Sequence, residues 1–245
     1  MVKRDSVLTR VVRIFETFEP DAPALRVTDI ARRTGLHVAT ASRLIEELVG
    51  HGWLRRDTDR RVRVGVRLWE LASRASPTLG LREAALPFME DLHAVVGHHT
   101  QLAVLEDREV LFVERLSAPG AVVNVTRVAG RLPLHASSSG LVLLAHAPAD
   151  LQEQVLSGPL EAFRRTTLTE PARLRRFLAD VRRDGYAYCA GFIDEETTGI
   201  AVPLRGRGGD VVAALSVIVP NDDSARMQIP ALRAAARGIS RTLSH

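Results

Sequence analysis

Cysteine, long apolar runs, repeats and signal segments are scarce or missing in these 245 residues, and each shortage removes a class of protein. The single cysteine, Cys189, rules out a disulfide within the chain and fits a reducing compartment. No stretch approaches the roughly 20 consecutive apolar residues of a membrane helix. The N-terminal MVKRDSVLTRVVR has charges where a signal peptide would carry its apolar segment, so a cytoplasmic protein with no membrane partner is expected. There is no internal repeat, and no low-complexity tract beyond Arg205–Asp210.

What is present is enough apolar material for two ordinary domains: 46% of the residues are hydrophobic. The charge is unevenly spread. Met1–Gly65 holds 13 Lys and Arg against 9 Asp and Glu, whereas the remaining 180 residues hold 20 of each. The whole net charge of +4 therefore falls on one end, as an electrostatic footprint on a polyanion would.

That end contains VTDIARRTGLHVATASRLIEELVGHGWLRRDTDRRVRVG, Val27–Gly65, whose spacing dictates a geometry. Thr28 or Asp29 can begin a short helix by accepting an orphan N–H of its first turn. Gly35 stops it, because a tight turn between helices needs a residue that tolerates positive φ, and the small Ala31 allows a close, steep crossing. In the next helix Ala41, Leu44, Ile45 and Leu48 recur at three- and four-residue steps, which turns Thr40, Ser42, Arg43 and Glu47 away from the core. Gly50 and Gly52 end it. Arg55, Arg56, Arg60, Arg61 and Arg63 then cluster on a hairpin around Asp57-Thr58-Asp59, a basic wing suited to phosphate. A winged helix-turn-helix is expected, with Thr28, His37, Val38, Ala39, Thr40, Ser42 and Arg43 facing duplex DNA and Arg60, Arg61 and Arg63 on its backbone. A helix over Ser6–Phe18 roofs the pair, and Lys3, Arg4 and Arg10 near its start are candidates for backbone contact.

The expected division is Met1–Gly65 for DNA, a helical linker Val66–Gly80 broken at Ser76-Pro77, and a sensory domain Leu81–His245. An amphipathic helix over Leu81–Val96 opens the last of these. The period then changes to two: Thr100–Leu105 and Val110–Arg115 flank a turn, and Val122–Val128 reads as a third strand. Helices follow at Ser137–Ala147, Ala149–Leu156 and Glu170–Gly185. Strands resume at Tyr186–Phe192, Ile200–Leu204 and Val211–Val219, before a final helix over Ala225–Leu243. This order predicts an α+β domain whose antiparallel sheet carries helices on one side, with room for a cavity between them. Pro133–Gly140 is the best candidate wall. Its serines lie at a helix N-terminus, where free N–H groups and the helix dipole attract a carboxylate or phosphate. Tyr186, Tyr188, Cys189 and Ser216 are candidates for the remaining walls; alternatively Ser137 is only a cap and the aromatics only core.

GRLPLHASSSG (Gly130–Gly140), GYAY (Gly185–Tyr188), AVPL (Ala201–Leu204) and VVAALSV (Val211–Val217), following the helix-turn-helix and linker, resemble the IclR family of bacterial transcriptional regulators. The likeness covers nearly the whole chain. It implies a homodimer or homotetramer, a GAF-like effector-binding domain, no cofactor, and operator binding altered by a small metabolite, often an organic or aromatic acid, with repression the expected direction. Position by position it implies an effector pocket of Ser138, Ser139, Cys189, Gly199, Ser216 and Ile218. The chain departs from the family pattern at Leu141 (often lysine), Cys189 (often acidic), Glu196 (often glycine) and Gly199 (often cysteine or serine).

Two other classes compete. An enzyme would need a nucleophile and base from His135, Ser137, Ser138 and Cys189, or a metal at His98-His99. No nucleophile-elbow pattern surrounds those serines, and neighbouring histidines on a strand point to opposite faces, so neither catalysis nor a metal is expected. A DNA-binding architectural protein that senses nothing is the second rival.

Overall fold

The computed structural model describes residues 5–244, so Lys3 and Arg4 lie outside the described residues. The chain forms two compact units, Met1–Leu79 and Gly80–His245.

In the first unit α1 (Val7–Glu16), α2 (Val27–Thr34) and α3 (Val38–Gly50) precede a two-stranded antiparallel hairpin of β1 (Leu54–Arg56) and β2 (Val62–Val64), and α4 (Val66–Ala75) follows. Ile14, Ile30, Ala31, Ala41, Leu44, Ile45, Leu54 and Val62 are buried together, one small core fed by every element up to the wing. Gly35 closes α2 in the left-handed conformation at φ 68°, where a β-carbon would be strained. The expected cap is corrected: α2 starts at Val27 after Arg26, and no side chain caps it, because Thr28 and Asp29 already lie inside its first turn. The linker also differs in form. Ser76 is extended, as a residue before proline prefers, and α5 (Pro77–Val96) starts at Pro77 rather than Leu81, since proline suits a first helical position.

The second unit is built on a six-stranded antiparallel sheet in the order β5-β4-β3-β8-β7-β6, with β3 His99–Glu106, β4 Glu109–Ser117, β5 Arg131–Pro133, β6 Ala187–Ala190, β7 Thr197–Arg205 and β8 Val211–Pro220. Helices cover both faces, not one. On one face α6 (Ser138–His146), α7 (Ala149–Ser157) and α8 (Pro171–Asp184) enclose a core with Ala103, Phe112, Ala187, Ala201 and Ala214. On the other, α5 and α9 (Ile229–Ser244), the latter preceded by a 3₁₀ turn over Asp223–Gln228, pack on Leu102, Val104, Ile200, Val202, Leu215 and Val217. Strands buried on both faces explain the apolar run VVAALSVIV, interrupted by Ser216 alone, and Ala103, Ala201 and Ala214 lie on the face that α6 covers. The alternating pattern of Val122–Val128 does not become a strand. β5 at Arg131–Pro133 pairs with the outer edge of β4 instead, and residues 121–128 run as an irregular strap. No helix among the described residues is long and apolar enough to cross a membrane.

Candidate functional site

The first unit presents α3 on its surface. Leu44 and Ile45 anchor it in the core, while Val38, Ala39 and Arg43 are exposed and Thr40 and Ser42 half-buried on the opposite side. His37 is the N-cap: its Nδ1 accepts the Ala39 N–H at 3.3 Å, so part of its polar capacity is used within the chain. Thr28 is exposed on α2. Among the described residues Arg43 pairs with Glu47 alone, one turn on, at 3.7 Å between exposed side chains, a pairing too weak to hold it from a stronger anion.

The arginines of the wing are not equivalent. Arg63 and Arg55 both approach Asp57, Arg61 lies 3.1 Å from Asp59, and Arg56 pairs with Glu46 of α3. The Arg56 pair ties the wing to α3. Arg60, at the tip with φ 64°, is exposed and has no ion-pair partner among the described residues. The sequence counts these five as equal charges; the carboxylates beside them make Arg60 the least committed.

The second unit contains a cavity between α6 and the sheet, lined on one side by the strap and open at its mouth, with about 480 Å³ of empty space when the solvent at the mouth is included. It brings together Ser138, Ser139, Cys189, Gly199 and Ile218, which come from α6, β6, β7 and β8. Ser216 does not line it. Fully buried on β8, Ser216 stands behind the wall and receives the Ser139 hydroxyl at 2.9 Å. Tyr186 and Tyr188 are on the other face of the sheet, because alternate residues of β6 point opposite ways and Cys189 takes the pocket side; their rings lie under Arg233 and Arg226. Burial pushes the Cys189 thiol up, so it is a neutral, weakly polar wall atom.

Ser137 caps α6, accepting the Gly140 N–H at 3.1 Å, and also lines the cavity. The next serine is free: Ser138 is 3% exposed, and its hydroxyl makes no hydrogen bond within the described residues. Gly199 leaves room opposite it: a β-carbon there would stand 2.9 Å from the Ser138 Oγ and displace that hydroxyl. The first-turn N–H groups of α6 have no intrahelical acceptor and lie at the positive end of its dipole. Among the described residues no Lys or Arg lines the cavity, and Asp194 is the only charged one that does. An anion bound here would be held by N–H and O–H groups.

Sequence reasoning missed the strap and its partners. Val123, Asn124, Val125 and Thr126 line the cavity, as do Gln101 of β3 and Asp194 of the loop before β7. Their one signal is a cluster of polar residues inside apolar segments, which does not reveal which elements will meet. The strap is moored by both histidines before and at the start of β3. His98 Nδ1 accepts the Val122 N–H at 3.4 Å, and His99 Nε2 lies 2.6 Å from the Val122 carbonyl. The expectation that these two rings diverge is corrected, because His98 precedes the strand and escapes its alternation. No cluster of metal-binding side chains occurs among the described residues.

Comparison with known proteins agrees with this architecture. The family model "IclR helix-turn-helix domain" matches residues 7–58 and "Bacterial transcriptional regulator IclR C-terminal" matches residues 74–245. Among curated relatives, the HTH-type transcriptional regulator BhcR of Paracoccus denitrificans is 31% identical over 90% of this chain and 80% of its own. XynR of Escherichia coli, also named as an HTH-type transcriptional regulator, is 29% identical over 85% and 83%. Among solved structures, an IclR homologue from Microbacterium hydrocarbonoxydans, complexed with 4-hydroxybenzoate, is 52% identical, covers 97% of this chain and 99% of its own, and superposes with a TM-score of 0.93. These relatives are regulators rather than enzymes. With family models over both units and an exposed second helix above a basic wing, the chain belongs to the IclR family of bacterial transcriptional regulators.

Proposed function

We propose that this regulator is a repressor whose operator affinity is set by a single-ring aromatic acid of the hydroxybenzoate class, bound in the cavity beneath α6. The observation that carries this reading is the cavity: apolar walls, no side-chain cation, and unpaired donors of Ser138 and the α6 N-terminus grouped at one wall. A flat ring suits the walls, and a carboxylate suits the donors. The structural relative bound to 4-hydroxybenzoate, 52% identical to this chain, supports the same class.

In this reading Met1–Gly65 binds DNA, Val66–Gly80 is the linker, and Leu81–His245 binds effector and mediates assembly. Arg43 reads a base edge in the major groove, with Thr28, His37, Val38, Ala39, Thr40 and Ser42 around it. Arg60, Arg61 and Arg63 meet phosphates, Arg60 foremost. The chain acts as a homodimer or a dimer of dimers, which places two copies of α3 on half-sites in successive turns of the groove. Exposed apolar side chains on α1 (Val7, Leu8, Val12) and α4 (Val66, Trp69) support self-association, since faces of this kind usually mark an interface. An acid that favours one arrangement of the assembly shifts the population by its differential affinity, typically about 1 to 3 kcal/mol of coupling.

The test uses DNA fragments recovered from the source genome by the full-length protein. Fluorescence anisotropy on such a fragment, with and without 4-hydroxybenzoate, is expected to show operator affinity falling by about 5- to 150-fold. Unchanged affinity across a panel of single-ring acids, together with no rise in melting temperature, would favour the architectural protein instead, because a ligand of the native state must stabilise it.

A further inference from the structure

The cavity wall contains a chain of buried hydrogen bonds whose direction is settled by one backbone group. The Thr126 N–H can only donate, and it meets the Asn124 side chain at 3.0 Å, so the atom it meets is the carbonyl oxygen Oδ1. The Thr126 hydroxyl also lies 2.8 Å from Oδ1, so its single proton is spent there. Toward Gln101 the same hydroxyl can then only accept, which makes the Gln101 atom facing it the amide nitrogen. Gln101 Oε1 is left facing Ser216, whose hydroxyl donates to it across 3.5 Å, and Ser216 in turn accepts from Ser139 at 2.9 Å. The side chains of Ser139, Ser216, Gln101, Thr126 and Asn124 thereby form one run with a single direction.

The chain ends on an unmet donor. With Oδ1 engaged, Asn124 Nδ2 is buried without a hydrogen-bond partner among the described residues, on a residue that lines the cavity. It cannot turn to present its oxygen, because Thr126 holds that oxygen from two groups. A buried amide N–H without an acceptor is costly, and the cost is removed by whatever brings an acceptor to it.

We infer that Asn124 is a specificity-determining residue: its Nδ2, locked by Thr126 and the Gln101–Ser216–Ser139 relay, demands an oxygen acceptor from the effector and rejects ligands that offer a donor there. This inference rests on the cavity being the effector site. It deepens that reading by assigning the strap, rather than the helix N-terminus alone, to ligand selection. Asp194 is the charged group on the same lining, and as a carboxylate it can only accept, the opposite demand to that of Asn124 Nδ2.

The test measures dissociation constants of 4-hydroxybenzoate and its neutral counterpart 4-hydroxybenzamide by isothermal titration on the full chain, for the wild type, Asn124→Asp and Asn124→Leu. Asn124→Asp keeps the shape and the Thr126 bonds but puts an acceptor where the donor was. The ratio of the two constants is expected to move by at least tenfold toward the amide, whose NH₂ can donate. Asn124→Leu is expected to weaken 4-hydroxybenzoate by about 10- to 100-fold, the ordinary consequence of losing a hydrogen bond to a charged group. Melting temperatures near that of the wild type show that the variants fold. A ratio unmoved in Asn124→Asp, with tight wild-type binding, overturns the role of Asn124 and leaves the effector site standing. A wild type that binds neither compound overturns the effector reading and this inference together.

Discussion

The two candidate binding regions solve opposite problems with the same kind of residue. On α3 and the wing, polar side chains are exposed and supported from behind by a small buried row; beneath α6 they are buried and linked to one another. A polyanionic duplex is large and cannot be enclosed, so its reader must keep its charges in water, where each contact is weak and many are needed. A metabolite can be enclosed, so a few fixed donors in a dry cavity suffice, and no arginine is required. Specificity in the first region rests on which side chains protrude. In the second, on the function proposed, it rests on how buried groups are oriented.

The comparison is broken most severely by removing the support rather than the contacts. Leu44→Ala takes a fully buried side chain from the small core of the first unit and should cost about 2 to 5 kcal/mol. Calorimetry is expected to show the melting of the first unit shifted down while 4-hydroxybenzoate binding by the second is retained. Equal loss in both would show that the units do not stand independently. Next in size is Arg43→Ala, expected to cost about 1 to 3 kcal/mol on a recovered operator and much less on unrelated DNA if Arg43 reads a guanine. Equal losses on both sequences assign it to phosphate.

Within the wing, Arg60→Ala should lower the salt slope of operator binding by about one, while Arg63→Ala lowers it less because Asp57 already engages Arg63. Identical slopes for the two variants would remove that distinction. The smallest expected effect is one of pH. Burial holds the imidazoles of His99 and His146 below the ordinary histidine value of 6.5, so the unfolded chain takes up protons first as pH falls below it. The stability of the second unit is therefore full above that pH and declines beneath it, which chemical denaturation at a series of pH values reads directly. His99→Gln should flatten part of that decline.

The first region was legible because its information is local. Gly35, Ala31 and the row Ala41-Leu44-Ile45 lie within a few turns of one another, and helical periodicity converts their spacing directly into faces. What the spacing did not convey was the pairing of the wing arginines, which depends on where Asp57 and Glu46 end up. In the second region, the positions carried over from the family pattern place Ser138, Ser139, Cys189, Gly199 and Ile218 on one cavity, but Ser216 behind it. The strap was misread for a definite reason. Val122–Val128 has a strand's alternation, and only the pairing of Arg131–Pro133 with β4 denies it a partner edge. Helices on both faces were likewise hidden, since a strand's periodicity vanishes when both sides are apolar.

By itself the sequence determined the helices, the turn at Gly35, the excess of positive charge at one end and the family, all properties written in short-range spacing or in blocks of residues. Only the tertiary structure decided that Gln101 meets Ser216, and Ser139 the same residue, across 115 and 77 positions of sequence. It also placed Asn124 on the cavity lining with its amide donor unmet among the described residues. The physical reason is that a hydrogen-bond network in a core belongs to the order of strands in the sheet, and residue spacing along one chain does not encode which strands become neighbours.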